Sequence, residues 1–158
     1  AGGSHRPEDA RLLADTLAVL QADLVIGSRF RPGATYDNAA GRRWRPAASR
    51  AAAAACNVAM GTQYTDWTSG LRAFSPRAID ALLGYAYLSR MHGWQIEVLG
   101  RAHSLGLRIV EQPIAYRAGR SSFSAAVASE AVNAWLQLFF HMQPSTDNNR
   151  LSVQEWRR

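Results

Sequence analysis

Residues 22–30 read "ADLVIGSRF". Three branched apolar residues, Leu24, Val25 and Ile26, run together and are closed by Gly27. An apolar run this short, bounded by a turn signal, predicts a buried strand over 23–27. Arg29 then falls just past the strand's C-terminal end, where open α/β sheets place ligands. Upstream, Pro7-Glu8-Asp9 reads as a helix first turn, with Pro tolerated at the start and two acids facing the helix dipole. Leu12, Leu13, Thr16, Leu17 and Leu20 continue it as a helical stripe. Downstream, residues 28–46 hold two Gly, two Pro and five Arg and read as a long loop. The Ala-rich run 47–60 is a strong helix former. A turn and short strand follow over 68–75, and Ser75-Pro76 opens a helix to about Leu83. "GWQIEVLGRAHSLG" (93–106) predicts another helix, with Gly106 as its stop. Residues 107–117 read as a strand or strand pair in which Pro113 marks an edge or a bulge. A loop over 118–124 leads to a last helix over 125–143 and a polar, disordered tail over 144–158. This alternation of helices and strands argues for an α/β fold.

Composition narrows the function classes. The chain has 158 residues, is 47% hydrophobic and carries a net charge of +6. That supports a packed core and excludes a disordered tail. All eighteen basic residues are Arg, and Ala is abundant. This pairing points to compositional bias, so the overall basicity says little about nucleic acid, and local clustering of Arg says more. The one cysteine, Cys56, cannot form an intrachain disulfide and reads as a small buried filler in a reducing compartment. No stretch of about 18 residues is apolar enough to span a bilayer.

Four constellations carry chemistry. Residues 27–50 hold Arg29, Arg31, Arg42, Arg43, Arg45 and Arg50 against one acid, Asp37. Arg suits bidentate contact with phosphate oxygens, so this is either a phosphate-binding loop or a solvated Arg-rich loop. In "TDWTSGLRAF" (65–74), Asp66, Ser69 and Arg72 gather around Gly70, either to orient a ligand or to satisfy a strand end. In "WQIEVLGRAH" (94–103), Gln95 and Glu97 stand two apart in an apolar helix start; Glu97 with Arg101 fits an i,i+4 ion pair. In "YRAGRSSFS" (116–124), Arg117 and Arg120 bracket a Gly ahead of Ser121 and Ser122, either as an anion cradle or as a connector with Ser124 as a cap. None of the four His has a metal-ligand partner at a recognisable spacing.

The segments "ADLVIGSRF", "DWTSGLRAF", "WQIEVLGRAHSLGLRIVEQPI" and "YRAGRSSFS" stand in one order. Together they resemble the family 2 glycosyltransferases, specifically the dolichyl-phosphate (polyprenyl-phosphate) mannosyltransferase group, over residues 1 to about 124. The resemblance implies the C-terminal, acceptor-side part of a GT-A fold, a mixed sheet flanked by helices, with the nucleotide-binding half preceding Ala1. It implies transfer of a hexose, mannose or glucose, from a nucleotide sugar (GDP-mannose or UDP-glucose) to a polyprenyl phosphate, with inversion. A chain holding only this half is expected to be inactive by itself. "SHRPED" (4–9) resembles the helix opening that follows the family's metal-binding Asp-X-Asp. The first Asp would precede Ala1, and Gly2 stands where the second is usual. A divalent metal, Mg2+ or Mn2+, is therefore implied with most ligands outside these residues.

By the same resemblance Arg29 and one of Arg42 or Arg43 hold the acceptor phosphate. Arg120, Ser121 and Ser122 cover the donor diphosphate, Ser122 standing where the family often has Lys. Asp66 is the candidate catalytic carboxylate, with Ser69, Arg72, Gln95 and Glu97 supporting. The expected location is cytoplasmic, peripheral at the inner face of the membrane, with the helix over 125–143 lying on the lipid or packing on the core. A hydroxyl acceptor, saccharide or small molecule, is the alternative, and would need Asp66 as base. A degenerate anion-binding module is another. Nucleic acid is not expected, because only Phe30, Tyr36 and Trp44 interleave the Arg loop.

Overall fold

The computed structural model describes residues 4–37, 44–87, 89 and 92–118. In chain order the elements are α1 (Pro7–Val19), β1 (Leu24–Ser28), β2 (Thr35–Asp37), α2 (Trp44–Met60), β3 (Arg72–Phe74), α3 (Pro76–Leu83), α4 (His92–Ser104), β4 (Ile109–Pro113) and β5 (Ala115–Arg117). The sheet order is β3-β1-β4, with β1 antiparallel to β3 and parallel to β4. A second, two-stranded parallel sheet joins β2 to β5. The architecture is thus mixed α/β with a mixed sheet flanked by helices, as the sequence implied.

The central strand explains why its sequence is continuously apolar. All five residues of β1 are buried. Alternate side chains serve two cores, as the two-residue period of a strand requires. Leu24 and Ile26 enter a cluster with Ala53, Cys56, Trp67, Ala78, Leu82, Ile96 and Leu99. Val25 points the other way, to Leu13, Ala22 and Ile114. A strand covered on both faces shows no polar alternation. Burial pushes the Cys56 thiol up to about 12, in keeping with the inert filler read from the sequence.

The two ends of β1 are fixed differently. At the start, buried Asp23 accepts the Arg108 N–H (2.9 Å), the Ser75 hydroxyl (3.2 Å) and Arg77 Nη1 (3.0 Å), tying three segments together. Ser75 also caps α3 by accepting the Ala78 N–H at 3.1 Å, with Pro76 as the first helical residue. At the end, Ser28 lies opposite Pro113, where β4 stops and the chain crosses to β5. A proline can close a strand there because it has no N–H to contribute.

Three expectations need correction. The loop read over 28–46 contains β2 and gives way to α2 already at Trp44. β2 is only three residues long, too short for any period, and Pro46 is tolerated within a first helical turn. The stripe on α1 is narrower than its apolar residues: Leu13 is buried, whereas Leu12 and Leu20 are exposed. Glu97 does not pair with Arg101 among the described residues; it accepts the Ser89 N–H (2.9 Å) and hydroxyl, and Arg101 lies 4.2 Å from the Tyr85 ring centroid. The helix stop is as read: Gly106 takes φ +65°, a left-handed turn that favours glycine.

Candidate active site

The site forms where the end of β1 meets the turn 65–69. Ser69 Oγ donates to the Gly27 carbonyl at 2.6 Å and draws the turn onto the strand. Gly27 is itself closely packed: a Cβ there would lie 3.0 Å from Ile114 Cγ2 and 3.2 Å from the Leu71 carbonyl oxygen. Asp66 is brought directly under Arg29. Arg29 Nε donates to Asp66 Oδ2 and Nη2 to Oδ1, both at 2.7 Å, in a two-pronged pair. The Arg29 backbone N–H adds a bond to Oδ2 at 3.0 Å, and the Thr68 N–H one to Oδ1 at 3.2 Å. Arg29 Nη2 also reaches Thr68 Oγ1 at 2.6 Å.

This pair is buried: the Arg29 side chain is 11% exposed and that of Asp66 is fully covered. Removing one partner from such a pair typically costs about 3–5 kcal/mol, because the other is left uncompensated. Burial opposes the Arg29 charge, but the hydrogen bonds and charge of Asp66 outweigh it and hold its pKa above the ordinary arginine value. The guanidinium also lies 5.2 Å from the Phe30 ring centroid and 5.3 Å from that of Tyr116, within cation–π range. Tyr36 packs against both rings. Arg50 of α2 reaches the Phe30 ring at 4.8 Å, which brings a second cation to the same end of β1. Nη1 of Arg29 has no hydrogen-bond partner among the described residues, and guanidinium carries no other free donor.

Behind this pair stands Arg72, whose Nε donates to the Ser69 carbonyl and Nη2 to the Trp67 carbonyl, both at 3.0 Å. Burial lowers its pKa to about 10, with Asp66 opposing and Arg29 adding to the shift. It remains charged at neutral pH and adds positive potential beneath the site. Its Nη1 is buried without a partner. The turn itself is anchored by Asn57, whose Oδ1 accepts from Trp67 Nε1 (2.8 Å) and the Tyr64 N–H (3.1 Å).

The structure therefore gathers Arg29, Asp66, Ser69 and Arg72. Gln95 is adjacent: its Nε2 would lie 3.8 Å from a Cβ at Gly70. Glu97 serves Ser89. Arg42, Arg43, Arg120, Ser121, Ser122, Gly2 and the segments 125–143 and 144–158 lie outside the described residues. Among the described residues, no three His, Cys, Asp or Glu come together as a metal ligand set, and the Asp-X-Asp position at Ala1-Gly2 is not among them. Sequence reasoning passed over Ser28, Thr65, Thr68, Tyr116 and Glu111, and took Tyr36 only as an aromatic within the Arg loop. Glu111 accepts from Thr65 and Asp66, 46 and 45 residues away. Its one legible signal was a carboxylate inside an apolar strand.

At the end of β1 the Arg29 guanidinium, held on Asp66, keeps Nη1 as a donor of the kind that can bond an anion.

No family model matches the chain. It is 37% identical over 138 residues to an undecaprenyl-phosphate mannosyltransferase of Micrococcus luteus, an alignment covering 84% of this chain and 54% of that protein. It is 33% identical over 135 residues to a polyprenol monophosphomannose synthase of Mycolicibacterium smegmatis, covering 84% of this chain and 50% of that one. The chain spans about half the length of these curated relatives. Both likenesses support the resemblance carried by the motifs, to a polyprenyl-phosphate mannosyltransferase-like family 2 glycosyltransferase.

Proposed function

We propose that this chain, kin to polyprenyl-phosphate mannosyltransferases, forms the acceptor side of a GT-A enzyme that moves mannose from a nucleotide sugar to a polyprenyl phosphate with inversion. The observation that carries this reading is the Arg29–Asp66 pair, with Nη1 left as a donor at the end of β1. An oxygen of the acceptor phosphate forms the bond to the anomeric carbon as the bond to the donor diphosphate breaks. That oxygen is already anionic near neutral pH, so positioning and charge balance take the place of a strong base. Arg29, with Arg42 or Arg43, holds the acceptor; Arg120, Ser121 and Ser122 cover the diphosphate of the mannose donor, GDP-mannose. The described residues supply no ligand set for Mg2+ or Mn2+, so no step here is assigned to a metal. Both oxygens of Asp66 are engaged with Arg29, which suits an orienting carboxylate better than a base for a hydroxyl acceptor. No helix among the described residues is long and apolar enough to cross a membrane, and we place the enzyme at the cytoplasmic membrane surface through its lipid acceptor.

The test is transfer of labelled sugar by the full-length protein to polyprenyl phosphate, with polyprenol as control acceptor. Arg29→Ala is expected to lower kcat/KM for the phosphate acceptor by about 100-fold, the scale of losing one aligned charge contact. Arg29→Lys should fare little better, because a point charge cannot make the two-pronged contact with Asp66. Equal transfer to polyprenol, or none to polyprenyl phosphate from any common donor, would reject the reading.

A further inference from the structure

We infer that Glu111, in the middle of β4, is a positioning residue that sets the Arg29–Asp66 pair from behind, through Thr65 and Ser28. Glu111 lies opposite Ile26 in the β1/β4 register, one strand away from the site. Its carboxylate accepts the Thr65 N–H at 2.9 and 3.0 Å, the Thr65 hydroxyl at 2.9 Å and the Asp66 N–H at 2.9 Å. It therefore fixes the two residues that begin the turn carrying Asp66.

The hydroxyls extend its reach. Thr65 Oγ1 and Ser28 Oγ are 2.7 Å apart. An ionised carboxylate only accepts, so the Thr65 proton is committed to Glu111, and Ser28 must donate to Thr65. Ser28 Oγ, fully buried, then accepts the N–H groups of Phe30 and Arg31, both at 3.2 Å. All bonds thus point one way, from the backbone just after Arg29, through Ser28 and Thr65, to Glu111. Such aligned chains strengthen each member, and the charge at the end sets their direction. Both halves of the pair, Asp66 on the turn and Arg29 after β1, hang from this one carboxylate.

The inference rests on the proposed function for its kinetic readout and is tested in the full-length protein with Glu111→Ala, Glu111→Gln and Thr65→Val. Losing a hydrogen bond to a charged group is expected to raise the KM for polyprenyl phosphate about tenfold in Glu111→Ala, with the nucleotide-sugar KM moving less than about twofold. Glu111→Gln, which retains an accepting oxygen, should fall between. Thr65→Val, which keeps the bonds from the Thr65 and Asp66 N–H groups to Glu111, should shift the acceptor KM in the same direction but by less than Glu111→Ala, and the double variant should be no worse than Glu111→Ala alone, as expected for residues acting through one chain. Arginine side-chain NMR gives a readout independent of turnover: the Arg29 Nε–H resonance, displaced by Asp66, should move toward the other arginines in each variant. Should Glu111→Ala not fold, Glu111→Gln and Thr65→Val carry the test. Folded variants with wild-type acceptor KM and an unmoved Arg29 resonance, or losses that multiply in the double variant, would overturn the inference. If the wild type transfers no sugar to polyprenyl phosphate, the proposed function fails and the Arg29 resonance alone decides the role of Glu111.

Discussion

Asp66 shows how a single carboxylate's role follows from what already occupies it. Its oxygens take Arg29 Nε, Nη2 and N–H together with the Thr68 N–H. A base needs a lone pair aimed at the proton it removes. Asp66→Asn keeps the shape but loses the charge and turns one arm into a donor facing Arg29. The expected outcome is a loss of about 3 kcal/mol in stability, the low end for unpairing a buried ion, together with a raised acceptor KM. The pH–rate profile should keep its shape, since no proton passes through Asp66. Loss of the acidic limb with the acceptor KM untouched would instead make it a base. Sequence alone named Asp66 and Arg29 but not their bond, because 37 residues separate them and only the fold closes that gap. Glu111 was less legible still. A charged residue in an apolar strand reads as an edge position, and only the β1/β4 register reveals what it faces.

At the level of elements, β1 was legible because burial on both faces leaves a continuous apolar run, and α3 because Ser75-Pro76 is a capped start. β2 was not, because three residues carry no period and its pairing with β5 comes from far along the chain. The least obvious element-scale constraint is Gly27. It does not need a glycine's backbone angles; it needs the absence of a Cβ, since one would sit 3.0 and 3.2 Å from Ile114 Cγ2 and Cδ1. Gly27→Ala is therefore expected to destabilise by about 2 kcal/mol through overpacking, read as a lower urea midpoint with unchanged slope. Ile114→Val, which removes the methyl that ends the side chain, should recover part of that loss in the double variant. A Gly27→Ala midpoint equal to wild type would show that β1 and the Ile114 side chain part without cost.

Across the whole molecule, the N-terminal segment is drawn to the far end of the described chain. His5 bridges Tyr116 in antiparallel fashion, its ring 5.3 Å from the tyrosine ring, and the Arg117 N–H donates to the Ser4 carbonyl at 3.0 Å. His5 Nδ1 is buried without a partner. Burial, then the Arg29 charge, lowers the His5 pKa below its usual 6.5, while Asp9 and Asp66 only partly oppose them. The folded protein thus holds this imidazole neutral where the unfolded chain would protonate it. Stability from this source is fully present above about pH 6.5 and is lost as pH falls toward the depressed folded value, because the unfolded state then binds the extra proton. A charged His5 would also face Arg29 across the rings that frame the site, so the same protonation that loosens the fold opposes the anion-binding arrangement. Urea unfolding at pH 7.5 and 5.5 measures this directly. Wild type is expected to lose more stability over that interval than His5→Gln, which cannot take up the proton; the other titrating groups contribute equally to both proteins and drop out of the difference. An equal loss in the two would mean that His5 charges in the folded state without penalty, and that the packing of Ser4 and His5 against β5 yields before the ring does.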